Sequence, residues 1–355
     1  KLIIHVQRFV NLFRWLNVIL IFATFLAYLS PYVNPEDFWQ VSLFGLIYPW
    51  LLLFNLLFVL FWLVLKKKNF LLSLACIIMG WGHLTSTLGW SSHPTSIPEE
   101  SLAILSYNVQ NFRYVSSGKD TQEKSKRFQE ITRWLKSEEV DVFCAQELHR
   151  ITLNTLDSIA FPYNHSIRRQ SASIHSNYPF LDKGRLDFGK SVNAAVWADI
   201  EFSPGKVLRI YSIHLQSSGI DPDAIDVVAE GKIQEKQTWF SLKRIIGKFK
   251  EASSVRARQA KQVAAHIQKS PHPVVVCGDF NETPLSYVYR IVSQSLQDAF
   301  KVRGRGFGTT YAGKIPALRI DYILTDPQIE ILEHRIMRRN FSDHYPVKSR
   351  IHWRN

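Results

Sequence analysis

The chain has 355 residues, 46% of them hydrophobic, and a formal net charge of +13. That is enough for one large domain or two modest ones, and no internal repeat or low-complexity tract points to a repeat array. Three cysteines, Cys76, Cys144 and Cys277, sit singly in apolar runs. That spacing fits neither a metal site nor a disulfide framework; they read as small buried hydrophobes and leave the compartment open.

The chain begins at Lys1 rather than Met, so a few residues are expected to precede it. Three apolar stretches follow, at about 12–29, 43–65 and 70–90. The first two are long enough to cross a hydrocarbon core of ~30 Å, and the third is marginal. Residues 1–92 are therefore expected to form a membrane anchor of about three transmembrane helices. Lys1, Arg8 and Arg14 precede or enter the first span and Lys66–Lys68 follow the second, while the first connector carries only Glu36 and Asp37. By the positive-inside rule the N-terminus and the Lys triplet lie in the cytoplasm. Residues from 91 onward then lie on the non-cytoplasmic (periplasmic or extracellular) side, provided the third stretch spans.

Residues 93–100 read as a linker, rich in Pro, Ser and Glu. From 101 onward the pattern is that of a soluble domain. Leu102–Tyr107 reads as a strand ending at Asn108, Lys124–Lys136 as an amphipathic helix, and Val140–Ala145 as a buried strand ending at Gln146-Glu147. A strand pair, Ser191–Ile200 and Lys206–Ile213, turns at Ser203-Pro204-Gly205 and ends at His214. Ile220–Arg256 reads as an insertion containing a helix, with Trp239, Leu242, Ile246 and Phe249 at helical spacing among many lysines. It is either an amphipathic helix packed on its own domain or a basic helix for a membrane or a phosphate substrate. Helix Arg258–Ile267, strand Pro273–Cys277, helix Ser286–Ser293 and strands Arg319–Leu324 and Val347–Trp353 complete the expected order. Strands and helices alternate, with several strands in succession, which predicts an α/β two-sheet sandwich with helices outside.

Several of these strands end in a polar residue: Asn108, Glu147, His214, Asp279 with Asn281, Asp321, and Asp343 with His344. Strand ends on one rim of a sheet can converge even when far apart in sequence. Hydrolysis of a phosphate ester needs a hard cation held by carboxylates, a base near neutral pKa, and donors for the charge developing on phosphoryl oxygens.

The peptides carrying these residues, "SYNVQNF", "CAQEL", "SIHLQS", "GDFNETP", "RIDYILT" and "FSDHYPV", occur in the order found in the endonuclease/exonuclease/phosphatase superfamily, which has the DNase I-like fold. The chain resembles that superfamily over residues 101–353 and not over the anchor. Each peptide alone is a weak signal; six in order at strand ends are a specific one. The resemblance implies Glu147 as principal Mg²⁺ ligand (Mn²⁺ an alternative), with Asn108 and Asp343 supporting the metal. It implies His344 as general base, fixed by Asp321, and His214 on the phosphate. Asp279 and Asn281 would position the nucleophile and the scissile phosphate, with Asn108, Asn281 and His214 contacting substrate. His149 and His175 match no motif and read as surface or packing residues. One departure stands out: the segment Gln170–Pro179 keeps Ser176 and Pro179 but lacks the family's glycine-rich loop, which puts substrate class, not chemistry, in doubt.

Outside the anchor the charge is +9, since residues 1–92 hold six Lys/Arg and two acids. A basic domain attracts polyanions or anionic lipid. The resemblance thus implies a metal-dependent phosphodiesterase, first of all a nuclease, endonuclease or exonuclease. A phospholipid or inositol-phosphate phosphoesterase is the alternative, and a silent phosphate-binding module a third. The expected partners are a nucleic acid or lipid-headgroup phosphate ester and the membrane, with no obligate protein partner.

Overall fold

The computed structural model describes residues 2–91, 97–148, 161–166, 171–189, 191–219, 223, 226–228 and 235–354; His149, the first half of the linker and Gln170 lie outside them. The first helix, α1 (Leu2–Leu29), is among the described residues the one helix long and apolar enough to cross a membrane unaided; its span, Gln7–Tyr32, has a mean hydropathy of 1.8. Two bent pairs reach the same criterion together: α2 (Pro35–Leu46) with α3 (Tyr48–Val64), bent by 48°, and α4 (Phe70–Met79) with α5 (Trp81–Thr87), bent by 74°. The polar residues inside the apolar stretches bond across the bundle. Asn17 Nδ2 donates to Ser73 Oγ at 2.7 Å, Trp62 Nε1 to Asn17 Oδ1 at 3.0 Å, and Asn55 Nδ2 to Thr24 Oγ1 at 2.9 Å. Such bonds hold helices together where apolar packing gives no net drive.

The third expected stretch keeps its helical character but not its continuity. It is not one helix over 70–90 but breaks at Gly80, which lies so close to Tyr28 that a Cβ there would stand 2.0 Å from the phenol oxygen. Its end, β1 (Leu88–Trp90), is extended and pairs antiparallel with β11 (Arg305–Phe307) of the following domain. Hydropathy measures composition and cannot register that a partner strand is waiting.

The rest is the expected sandwich. One six-stranded sheet runs β10 (Gln297–Asp298), β12 (Asp321–Thr325), β9 (Val274–Asp279), β8 (Lys206–His214), β7 (Ala194–Ser203), β6 (Phe180–Leu186). The other runs β13 (Ile329–Ile336), β14 (Val347–Trp353), β2 (Leu102–Asn108), β3 (Val142–Gln146), β5 (Ala172–Ser176), β4 (Tyr163–Ser166). Alternate residues of both inner faces, among them Ile104, Val142, Ile174, Val196, Ile210, Val275 and Ile323, interdigitate as the central core. Helix α6 (Thr121–Ser137) covers one outer face through Ile131, Trp134 and Leu135. The 32-residue helix α7 (Lys236–Ile267) and α8 (Tyr287–Ser293) cover the other. The two helical stretches expected on either side of Arg256 are thus one helix. Both outer faces are apolar, so these central strands are buried on both sides and read as continuous apolar runs.

Two buried histidines make the sandwich acid-labile. His175 packs on Phe143 and Phe161, and His334 bonds Ser349 Oγ at 2.8 Å. Burial pushes both imidazoles down to about 4, whereas in the unfolded chain they take up a proton near the ordinary value of about 6.5. Between these values the unfolded state holds more protons, so stability falls as pH falls. Each histidine is expected to remove about 3 kcal/mol between pH 6.5 and 4. Thermal melts in that window check this: the midpoint of His334→Gln should depend less steeply on pH than that of the parent.

Anchor and sandwich meet along α2. Glu36 pairs with Arg258 (3.1 Å) and Lys261 (2.8 Å) of α7. At the other end of α2 the Gly45 carbonyl accepts from Thr283 Oγ1 at 3.1 Å, and Leu285 joins the apolar cluster of Ala27, Tyr48, Leu51 and Leu52.

Candidate active site

Strands β2 and β3 are parallel neighbours, as are β8 and β9, so their C-terminal ends open on one rim. Antiparallel β12 starts there, with Asp321 opposite Asp279, and β14 starts beside the end of β2, with Val347 opposite Ser106. His214 is the register partner of Asp279. All eight sequence-predicted residues therefore arrive at this rim.

Asp279 is its centre. Gly278, before it, has φ +143° and lies against β8 so closely that a Cβ would stand 1.9 Å from the Ile213 carbonyl oxygen. Only glycine fits that pairing, and Gly278→Ala is expected to cost at least ~2 kcal/mol in strain, read as a lowered melting temperature together with lost activity. Beyond it, Asn281 turns back at φ +52°. Its backbone N–H donates to Asp279 Oδ1 at 2.8 Å, and its Nδ2 donates to the Leu215 carbonyl (3.1 Å) and to Asp279 Oδ2 (3.2 Å). Both side-chain donors of Asn281 thus bond the strand end.

Asn108 links two carboxylates. Its Nδ2 donates to Asp279 Oδ2 at 3.0 Å and to Glu147 Oε1 at 3.2 Å, while its Oδ1 accepts from the Gln110 backbone N–H at 3.1 Å. Asn108 thus ties the two acids together, and its oxygen, with one lone pair engaged, keeps another for a ligand. Glu147 stands at φ +53° with its side chain half-buried. Among the described residues no Lys or Arg pairs with Glu147 or Asp279. Two carboxylates gathered on one amide without a Lys or Arg partner fit a divalent cation with hard oxygen ligands.

His344 and Asp321 form a hydrogen-bonded pair. His344 Nδ1 lies 2.9 Å from Asp321 Oδ2, and its Nε2 lies 3.7 Å from Asp279 Oδ2. Asp321 is itself fixed by Thr310, whose Oγ1 accepts the backbone N–H groups of Ile320 and Asp321, each at 3.0 Å. Burial opposes charge on His344, but the carboxylates of Asp321 and Asp279 outweigh it and raise the ring to about 10. Burial drives Asp279 up to about 6, Asp321 adding to the effect and the two histidines opposing it. His214 is pushed down by burial, and the neighbouring His344 adds to the fall. Both of its ring nitrogens lack a hydrogen-bond partner among the described residues; Nε2 lies 3.7 Å from Glu147 and from Asp279. An orphaned buried imidazole between two acids is a place for a phosphoryl oxygen or a bound water. Without a cation, then, the carboxylates favour the charged form of His344 and burial favours the neutral form of His214.

Asp279, Asp321 and His344 present ligand atoms within 4.8 Å of one another. The Nδ1 of His344 is already bonded to Asp321 there, so this trio reads as an Asp–His–Asp relay, with the Glu147–Asp279 side of it free for an ion. Asp343 stands beside the relay, its Oδ2 accepting from Gln110 Nε2 at 2.9 Å and its Oδ1 from Ser342 Oγ at 3.3 Å.

Sequence reading missed four residues here. Gln110 anchors Asp343, and Thr310 anchors Asp321. Tyr311 bridges to His344, its ring 5.5 Å away edge-on. Gln146 joins the two sheets, donating from Nε2 to Ser212 Oγ at 3.1 Å. Thr310 and Tyr311 stand outside any apolar run, so no pattern marks them; Gln110 and Gln146 lay inside the quoted motifs.

A sequence model described as the endonuclease/exonuclease/phosphatase family matches residues 105–344, about two thirds of the chain. The chain belongs to the endonuclease/exonuclease/phosphatase family. As a member it is a metal-dependent hydrolase of phosphate ester bonds. Residues 10–87 match a separate model described only as a domain of unknown function. No curated protein matches the sequence. Among solved structures, a humanized D. rerio TDP2 carrying 14 mutations is 19% identical, with a TM-score of 0.51, covering 72% of this chain and all of that one. A family member from Bacteroides thetaiotaomicron is 16% identical, with a TM-score of 0.51, covering 71% and 97%. At such identities the likeness is one of fold, the DNase I-like sandwich.

Proposed function

We propose that this chain is a membrane-anchored, Mg²⁺-dependent phosphodiesterase, in the first place a nuclease, whose catalytic domain faces the non-cytoplasmic side. The observation that carries the chemistry is Asp279, buried and reached from four sides by Asn108, Asn281, His214 and His344. Glu147 and Asp279 would hold the ion; when bound there, it polarises a phosphoryl oxygen and offsets the carboxylate field that keeps His344 protonated. His344, oriented by Asp321, takes the proton of the attacking water. His214 donates to the phosphoryl oxygen on the other side.

Nucleic acid as substrate is supported by the +9 charge outside the anchor. The topology is supported by chain order: segments 30–46 and 87–91 meet the catalytic domain, and Lys66–Lys68 fall between the two later helical pairs. A second reading, a phospholipid or headgroup phosphoesterase, is favoured by Thr283 and Leu285. These residues directly follow Asp279–Asn281 and are seated on the N-terminal helices, which under the anchor reading would hold the site near the bilayer.

A side-by-side panel of plasmid DNA, RNA, sphingomyelin and phosphoinositides, with and without Mg²⁺, decides between them. Cleavage of DNA or RNA above all lipids is expected; turnover confined to lipids would replace the first reading by the second. The side of the membrane is tested by a reporter fused after residue 355, expected to be active only outside the cytoplasm.

A further inference from the structure

The function leaves one feature unused: the N-terminal half of α7. At 3.6 residues per turn, Ser254, Arg258 and Lys261 share one arc of about 100° on this helix. That arc rests on α2, through the Glu36 pairs and the Ser254 hydroxyl at 3.5 Å from the Pro35 carbonyl. Helix α2 is bracketed along its length between the bundle and the sandwich, so the arc points toward the bundle. Followed toward the N-terminus, the same arc carries Lys236, Trp239, Phe240, Lys243, Gly247 and Lys250, all exposed. Phe240 is 72% exposed and Trp239 57%. The arc contains three cations, two large aromatics and no acid; Glu235 and Glu251 fall just outside it. Trp239 lies about 22 Å along the axis from Ser254, past the end of the α2 contact.

A second observation marks the level of the bilayer surface. At the junction of anchor and sandwich, Trp81 and Trp90 stack with ring centroids 5.9 Å apart, each 57% exposed, and Phe307 on the paired strand is 69% exposed. Exposed aromatics gathered at one end of an apolar bundle are the signature of a membrane–water interface.

We infer that the N-terminal half of α7 lies on the membrane beside the anchor, with Trp239 and Phe240 in the headgroup layer and Lys236, Lys243 and Lys250 on anionic lipid. This rests on the membrane-anchor reading. The sandwich would then be held at two places, by α2 over the bundle and by α7 over lipid, so that it cannot swing about the anchor. Apolar burial and charge add in such a contact, each basic residue contributing near an anionic surface.

The full chain, reconstituted in phosphatidylcholine vesicles with and without phosphatidylglycerol, tests this. Phe240→Cys is labelled with an environment-sensitive fluorophore; the native Cys76, Cys144 and Cys277 are buried. Glu130→Cys on α6 reports solvent and Phe22→Cys in α1 reports lipid. The label at 240 is expected to be quenched several-fold more by nitroxide lipid than the label at 130 and to be shielded from iodide. The triple variant Lys236→Glu, Lys243→Glu, Lys250→Glu should remove that shielding in anionic vesicles. If 240 behaves like 130 while 22 is quenched by lipid, the surface contact is overturned and the anchor stands. If 22 also escapes lipid, the anchor reading fails and takes this contact with it. Shielding of 240 by an added oligonucleotide but not by the bilayer would overturn the contact in favour of nucleic acid.

Discussion

His344→Ala is expected to lower kcat by between about 10² and 10⁴, the range that a positioned acid–base group contributes, with circular dichroism unchanged. The ring lies against both Asp321 and Asp279, through Nδ1 at 2.9 Å and Nε2 at 3.7 Å. Its removal leaves the two carboxylates facing each other without the cation between them, so the defect should exceed that of Asp321→Asn, which only releases the ring. Asp321→Asn should also move the pH profile: the ring loses the largest contribution that raises it and titrates lower, so the alkaline-side features of the profile shift to lower pH. A His344→Ala rate within a few-fold of the parent would remove the relay from the mechanism.

Arg256→Met is expected to destabilise the sandwich by about 3–5 kcal/mol, the cost of leaving one member of a buried pair alone. Arg256 is fully buried in the middle of α7. It donates from Nε (2.9 Å) and Nη2 (2.7 Å) to Glu282 Oε1, from Nη1 to the Gln216 carbonyl (2.8 Å) and Ser218 Oγ (3.1 Å), and from Nη2 to Ser253 Oγ (3.2 Å). It thus ties the helix to the segments that follow His214 and Asp279. The melting midpoint of the full chain in detergent should fall by about 6–20 °C. The double variant Arg256→Met, Glu282→Leu should recover most of that loss, because no charge is then stranded. A single variant as stable as the parent would mean the pair is not buried in solution.

Much of the sandwich was legible because its central strands are buried on both faces. Leu102–Asn108 and Val274–Asp279 read as unbroken apolar runs, and such runs have visible ends. The rim residues were legible for the same reason: a polar residue closing an apolar run is conspicuous. The edges were not. Strand β6 carries Asp182, Lys183 and Arg185 and is mostly exposed, so it lacks an apolar signature. In the site, the residue types were readable but the hydrogen-bond directions were not. That Asn108 and Asn281 spend their amide donors inside the protein follows from where Glu147, Leu215 and Asp279 arrive in space. Helix α7 was read as a helix in the insertion that continues from Arg258, and the place of Arg256 was not legible: it is buried against an acid 26 positions away. The docking of Glu36 on α7 spans more than 220 positions and leaves no local pattern. At Gly80 and Leu88–Trp90 composition pointed to a third helix where contacts with Tyr28 and β11 decide otherwise.

The central claim is that Glu147 and Asp279 gather a divalent cation over a phosphate ester while His344 and His214 move its protons. It is tested most directly by the full chain's hydrolysis of a generic phosphodiester as Mg²⁺ is titrated, alongside Glu147→Gln. The account predicts turnover that saturates with Mg²⁺ and stops with chelator, and a Glu147→Gln variant that needs far more Mg²⁺ and falls by orders of magnitude in rate. Turnover that persists in chelator, or a Glu147→Gln variant with the parent's rate and Mg²⁺ dependence, would contradict it.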